Sequence, residues 1–303
     1  MTLPQRFAQI VGCAVVALLA AHGSAAGQQA GADQRRFPTT AFAAGDMTAS
    51  VSVGDVTATV TLVTPSDPAF GYIPTLAVSV DGVKVAEAVG AESDFEVPAA
   101  EASISELDPD NDYPEVYFAS YSGGAHCCTT VIVVAQADDG WTVVPIGDFD
   151  GDGDYLNDVD GDGLAEIVTV DNRFLYRFDS YAASAAPLVV YTVRAGEVVD
   201  ETAETRYLPA QRDWLKQLEE AVLPEDRWTS RGFLAGWLAQ RIRIGEGAAA
   251  WEEINANWDF ATDEGEEVCL TGGEPEDCAA DEREILKFPE RLRLFLTQNG
   301  YGF

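Results

Sequence analysis

Between Thr48 and Arg194 the chain consists of short stretches that alternate apolar and polar residues, broken roughly every 8 to 15 positions by Gly, Asp or Pro. Alternation with period two sends successive side chains to opposite faces, so each stretch can bury its apolar face only by joining a sheet. Val56-Thr57-Ala58-Thr59-Val60-Thr61-Leu62 alternates without a break, and Gly54-Asp55 joins it to Thr48 to Val53 as a hairpin. Asp81-Gly82 joins Thr75 to Val80 with Val83 to Ala86 in the same way. Further strands are expected at Ala102 to Leu107, Glu115 to Tyr121, Thr129 to Gln136, Trp141 to Ile146, Glu166 to Val170, Phe174 to Phe178 and Pro187 to Arg194. Near Leu208 the period changes. Trp214, Leu215, Leu218, Ala221 and Val222 recur at helical spacing, as do Phe233, Leu234, Trp237, Leu238 and Ile242. Ala248 to Trp258 and Arg283 to Thr297 read as two more helices, the last stopped by Asn299-Gly300. The predicted fold is α+β. An antiparallel β-rich region over 47–205, arranged as a sandwich or partial propeller, precedes a helical region over 206–303.

The N-terminus reads as a secretory signal peptide over 1–26: Arg6 supplies the positive charge, Ile10 to Ala21 the apolar run and Ser24-Ala25-Ala26 the small cleavage site. That run is too short for the roughly 20 apolar residues of a membrane span, and no later segment is longer. Ile10-Val11-Gly12-Cys13 has the form of a lipoprotein box, but most of the apolar run follows Cys13 instead of preceding it. Residues 27–46 are small and polar, a flexible leader. The mature chain is therefore expected in a secreted or periplasmic location, with no membrane span. The 18 Lys+Arg against 51 Asp+Glu of the full sequence give a formal charge of −33, which excludes a basic surface for nucleic acid. The expected partner is a protein or an envelope component.

Residues 148–166 read DFDGDGDYLNDVDGDGLAE, seven aspartates and a glutamate in nineteen positions. So many carboxylates repel one another unless a cation gathers them. Asp158, Asp160 and Asp162 alternate so as to curl around one ion, Gly163 allows the sharp turn, and Glu166 closes the site at the ninth position; hard oxygen ligands of this kind fit Ca2+. Asp148, Asp150, Asp152 and Asp154 begin a second pattern of the same kind. An EF-hand is excluded, because Thr169 stands where its bidentate glutamate belongs and strands flank the loop. Leu107 to Val116 repeats the arrangement more weakly, an acidic turn feeding a strand, 50 residues earlier.

At these residues the chain resembles the calcium loops of FG-GAP and VCBS-type repeats, of pattern D-x-D-x-D-G-x-x-D, over about 108–178; Glu166 replaces the last aspartate. The resemblance implies a structural ion. The string Gly123-Gly124-Ala125-His126-Cys127-Cys128, ahead of a DGDG loop and a tail with Gly300-Tyr301, also resembles a group of uncharacterised exported bacterial proteins. That likeness implies no activity.

Signal cleavage leaves one histidine, His126, and four cysteines, Cys127, Cys128, Cys269 and Cys278. An even count in an exported chain points to disulfides. Cys269 and Cys278 flank a Gly- and Pro-containing run able to reverse the chain between two helices, and a local bridge is expected there. Three readings stay open for Cys127 and Cys128: a vicinal bridge, a clamp to the C-terminal cysteines, or a metal or thiol site with His126. Any triad chemistry would have to use His126, with Ser122 or Cys127 as nucleophile. No G-x-S-x-G, P-loop, H-E-x-x-H or dinucleotide fingerprint occurs. The sequence thus predicts an exported, calcium-stabilised binding or envelope-associated module without catalysis. The alternative is a hydrolase or redox enzyme centred on His126, Cys127 and Cys128.

Overall fold

The computed structural model describes residues 37–302 except 44, 66–70, 94–98, 125–126, 152 and 274. The signal peptide, most of the leader, His126 and Asp152 lie outside the described residues. Three successive four-stranded antiparallel meanders stack face to face. The first comprises β1 (Thr48–Val53), β2 (Val56–Val63), β3 (Ile73–Val80) and β4 (Val83–Val89). The second comprises β5 (Ala100–Ser105), β6 (Glu115–Tyr121), β7 (Cys127–Ala137) and β8 (Gly140–Asp150). The third comprises β9 (Leu156–Asn157), β10 (Glu166–Val170), β11 (Leu188–Arg194) and β12 (Glu197–Asp200). Four helices follow: α1 (Leu208–Ala221), α2 (Arg231–Arg243), α3 (Gly247–Asn257) and α4 (Phe288–Gln298). A two-stranded ribbon of β13 (Glu266–Cys269) and β14 (Arg283–Leu286) lies between α3 and α4. The α+β class read from the sequence is the class of this fold.

Side-chain alternation sets the layers. Val56, Ala58, Val60, Leu76 and Val78 face Ala102, Ile104, Val116, Phe118, Ile132 and Val134 in a first core. The opposite face of the second sheet, with Tyr117, Ala119, Val131, Val133 and Ala135, meets Tyr155, Leu156, Ile167 and Val193 in a second. β7 is therefore apolar on both faces, and its run Val131-Ile132-Val133-Val134-Ala135 is buried throughout. The third sheet turns Val168, Leu188 and Val190 toward Trp214, Leu234, Trp237, Leu238, Leu292 and Leu296 of the helices. The stack thus runs sheet, sheet, sheet, helices.

α2 is buried along Gly232 to Gln240. A Cβ on Gly232 would stand 2.3 Å from the Ala183 carbonyl oxygen, and one on Gly236 equally close to the Ala185 backbone. These glycines let the helix axis approach the segment before β11. Gln240 then donates to Gln211 and accepts from the Leu188 N–H at 2.9 Å, so a buried amide ties helix to sheet. At the C-terminus the buried Tyr301 hydroxyl donates to Asp171 at 2.8 Å and accepts from Arg243 at 2.6 Å.

Two elements differ from the sequence reading. Phe174 to Phe178 is not a strand, because the Asp171 carboxylate accepts the Arg173 N–H and starts a 3-10 turn at Asn172–Phe174. Phe174 and Phe178, four apart, both enter the helical core, while Tyr176 between them takes φ 60° and is exposed. The last helix is also shorter than expected. Residues 283–286 pair with β13, and α4 starts at Phe288 with Pro289 in its first turn, where a missing N–H costs nothing. The Cys269 to Cys278 run accordingly closes a strand ribbon and not a helix pair.

Candidate metal centre

β9 and β10 pair through Glu166 and Asn157, so residues 158–165 form a tight loop whose ends are fixed. Its aspartates first organise the backbone. Asp158 accepts from the Gly161 and Gly163 N–H groups at 2.7 and 3.2 Å, Asp160 from Asp162 at 3.1 Å, and Asp162 from Leu164 at 2.8 Å. Gly161 and Gly163 take φ of 82° and 97°, left-handed conformations that side chains resist. The result brings one carboxylate oxygen each from Asp158, Asp160 and Glu166 within 4.8 Å of one another. Glu166 is buried and accepts the Val159 N–H at 2.9 Å. Burial pushes its carboxyl up to about 7, with Asp160 and Asp162 adding repulsion.

Asp162, expected among the ligands, is not one of these three and lies 3.6 Å from the Arg206 guanidinium. Arg206 also stands 3.7 Å from Asp160 and pairs with Glu201. Its neighbour Tyr207 is buried and donates to Glu201 at 3.2 Å. These residues carry no motif and lie about 40 positions beyond the loop. Only the acid excess, 51 Asp+Glu against 18 Lys+Arg, hints that a guanidinium here will find a carboxylate.

The second acidic segment is arranged differently. Asp148 and Asp150 end β8, Asp148 accepting from Thr130 at 2.6 Å and Asp150 from Tyr181, while Asp154 is exposed. Among the described residues these carboxylates do not converge. In the 107–115 repeat, buried Glu115 accepts from the Leu107 and Asp108 N–H groups at 2.7 and 3.0 Å and from the Asn111 amide at 2.5 Å. An amide donor here fills the carboxylate that the 158–166 loop leaves facing other carboxylates. The Ala165 N–H donates to the Glu106 carbonyl, so the two loops are neighbours.

At the GGAHCC turn, Ser122 is committed to the backbone: its Oγ accepts from the Cys128 N–H at 2.8 Å and donates to the Cys127 carbonyl at 3.1 Å. Cys127 and Cys128 are bridged to each other, and Cys269 to Cys278 with a Cα separation of 5.8 Å. A Cβ on Gly124 would lie 2.0 Å from the Cys127 carbonyl oxygen, so this turn requires glycine there.

An acidic β stack closed by a helical cap defines the class, and sequence relatives place it more narrowly. The family model described as the sll0997 C-terminal domain matches residues 211–300. The "Probable thylakoid lumen protein sll0997" of Synechocystis sp. (strain ATCC 27184 / PCC 6803 / Kazusa) is 35% identical over 257 residues, covering 83% of this chain and 75% of that protein. The chain belongs to the sll0997 family. The "Uncharacterized protein y4bJ" of Sinorhizobium fredii (strain NBRC 101917 / NGR234) is 34% identical over 215 residues, 70% of this chain but 34% of that protein. No solved structure matches. Among the described residues no helix is long and apolar enough to cross a membrane.

Proposed function

We propose that this protein is an exported, non-catalytic binding or envelope-associated module whose 158–166 loop is stabilised by Ca2+, with Asp158, Asp160 and Glu166 as ligands. The carrying observation is the convergence of their three carboxylate oxygens within 4.8 Å on a glycine-turned loop. The donor set fits the ion: all are hard oxygens, and a divalent cation offsets both their mutual repulsion and the desolvation of Glu166. The loop's likeness to FG-GAP and VCBS calcium loops supports the same reading. Export is supported by the signal-like N-terminus and by a relative named for the thylakoid lumen, itself reached across a membrane. The commitment of the Ser122 hydroxyl to backbone partners supports a structural role for the GGAHCC turn.

The test is thermal unfolding of chelator-stripped mature protein with and without Ca2+. Selective binding to the native state stabilises by RT ln(1 + [L]/Kd), about 2.7 kcal/mol at a hundredfold excess over Kd. Asp160→Ala should abolish the gain. Identical melting curves with Ca2+ and with chelator, or full reproduction of the effect by NaCl of equal ionic strength, would overturn the assignment.

A further inference from the structure

Away from the acidic loops, a cavity of about 190 Å³ opens between α4, β13 and the turn that follows Phe174. Its floor is Phe178 and Phe295, packed edge to face with centroids 5.3 Å apart, together with Leu294. Two guanidiniums flank this aromatic pair, Arg291 5.4 Å from the Phe178 centroid and Arg177 5.7 Å from that of Phe295. The carboxylates nearby are already shared. Glu266 pairs with Arg291 and also with Arg231 at 2.8 Å. Asp263 lies 3.5 Å from Arg231 and accepts from Trp258 Nε1 and the Phe288 and Gly265 N–H groups. Glu267, also on the wall, faces Arg283 at 3.9 Å. Among the described residues, Arg177 enters no ion pair. Of the described residues lining the cavity, Arg177 and Arg291 stand with Glu266 and Glu267, and because both glutamates are engaged by Arg231, Arg283 and Arg291, Arg177 is left without a carboxylate among them. Burial pushes Arg291 down to about 10, with repulsion from Arg231 and Arg177 adding to it and Asp263 opposing it.

We propose that this cavity binds a small organic anion, its carboxylate held by Arg177 and its apolar body laid against Phe178, Phe295 and Leu294. Guanidinium suits the planar carboxylate, and the ring floor suits a hydrocarbon or aromatic body. The proposal is independent of the calcium reading. The anion can be a free acid or the C-terminal carboxylate of a peptide, and the probes separate the two.

The experiment titrates the mature protein, by amide chemical shifts and calorimetry, with 3-phenylpropionate, its neutral counterpart 3-phenylpropan-1-ol, inorganic phosphate, and N-acetyl-Ala-Phe as free acid and as C-terminal amide. The carboxylates should bind saturably at the cavity, at least about tenfold more tightly than the alcohol, the amide or phosphate. Tighter binding of the peptide acid than of the free acid identifies a peptide terminus as the source; the reverse identifies a small acid. Arg177→Ala should weaken carboxylate binding about tenfold, while Arg177→Lys retains most of it. Arg177 is exposed, so both variants should melt with the wild type. Equal affinity for acid and alcohol, unchanged affinity in Arg177→Ala, preference for phosphate, or no saturable shift up to about 10 mM would overturn the proposal.

Discussion

Tyr301→Phe isolates one hydroxyl at the point where the chain's end is fastened to the third sheet. The ring contacts survive, including the edge-to-face packing on Phe174 at 5.4 Å. What is lost is a donor to Asp171 at 2.8 Å and an acceptor for Arg243 at 2.6 Å, both around a buried hydroxyl. Asp171 keeps Arg173, whose Nη2 and Nε lie at 2.5 and 2.8 Å. Arg243 is worse placed, because its Nη1 has no hydrogen-bond partner among the described residues and its Nη2 then loses Tyr301. One charge-assisted hydrogen bond and one stranded donor together cost about 2–4 kcal/mol, or about 3–7 °C in Tm for a chain of this size. Urea unfolding followed by tryptophan fluorescence reads this directly, since Trp214 and Trp237 share the core with Phe174 and Tyr301. The pH dependence has a definite sign. Burial alone raises the Asp171 carboxyl, but hydrogen bonds from Arg173 and Tyr301 overcome it and hold the group below its ordinary value. Stability from such a group is present above the unfolded carboxyl pKa and is lost as pH falls through the folded one. The gap between wild type and variant should therefore narrow below about pH 4. A gap under about 0.5 kcal/mol at pH 7, or one that widens in acid, refutes the reasoning.

Glu115, buried and pushed up to about 7 chiefly by desolvation, acts in the opposite sense: the unfolded state releases its proton first, so this group's contribution falls as pH rises from about 4.5 to 7. Glu115→Gln should flatten that decline, by about 2–3 kcal/mol at pH 8, in denaturation curves taken at several pH values. Replacing both Cys269 and Cys278 by Ala should cost about 2–3 kcal/mol from loop-closure entropy, whereas the same change at the adjacent Cys127 and Cys128 removes almost no loop and should cost much less by that route. Peptide mapping without reductant checks the pairing itself; a peptide joining 127–128 to either C-terminal cysteine contradicts it. Gly236→Ala should lower stability by about 3 kcal/mol, because its methyl meets fixed backbone and not a flexible side chain; a melting temperature equal to wild type would show that α2 can shift.

The strands of the first two sheets were legible because their burial is one-sided or continuous: β2 alternates between core and outer face, and β7 is a solid apolar run. β9, β12, β13 and β14 are two to four residues long and show no period, so nothing in their local sequence marks them. Phe174 and Phe178 misled for a related reason: aromatic residues with turn signals on either side suit a strand, whereas an Asp171 side-chain cap selects a 3-10 turn. The convergence of Asp158, Asp160 and Glu166 was legible because the residues are close in sequence and two glycines fix the turn. Asp162 obeys the same spacing but answers to Arg206, whose place is set by β12 and the start of α1. Such a contact cannot be read along the chain.

The segment matched by the family model, 211–300, is not a structural unit in its own right. The wall against which its helices close is supplied from outside it, by Val168, Phe174, Phe178, Leu188 and Val190, and Tyr301, just beyond its end, is latched to Asp171. Cut free near residue 208, it would leave Leu234, Trp237 and Leu238 without their covering, a sticky face more suited to aggregation than to independent existence. The unit that folds is larger than the stretch the family model covers, in keeping with the 257 residues over which the Synechocystis relative is alike.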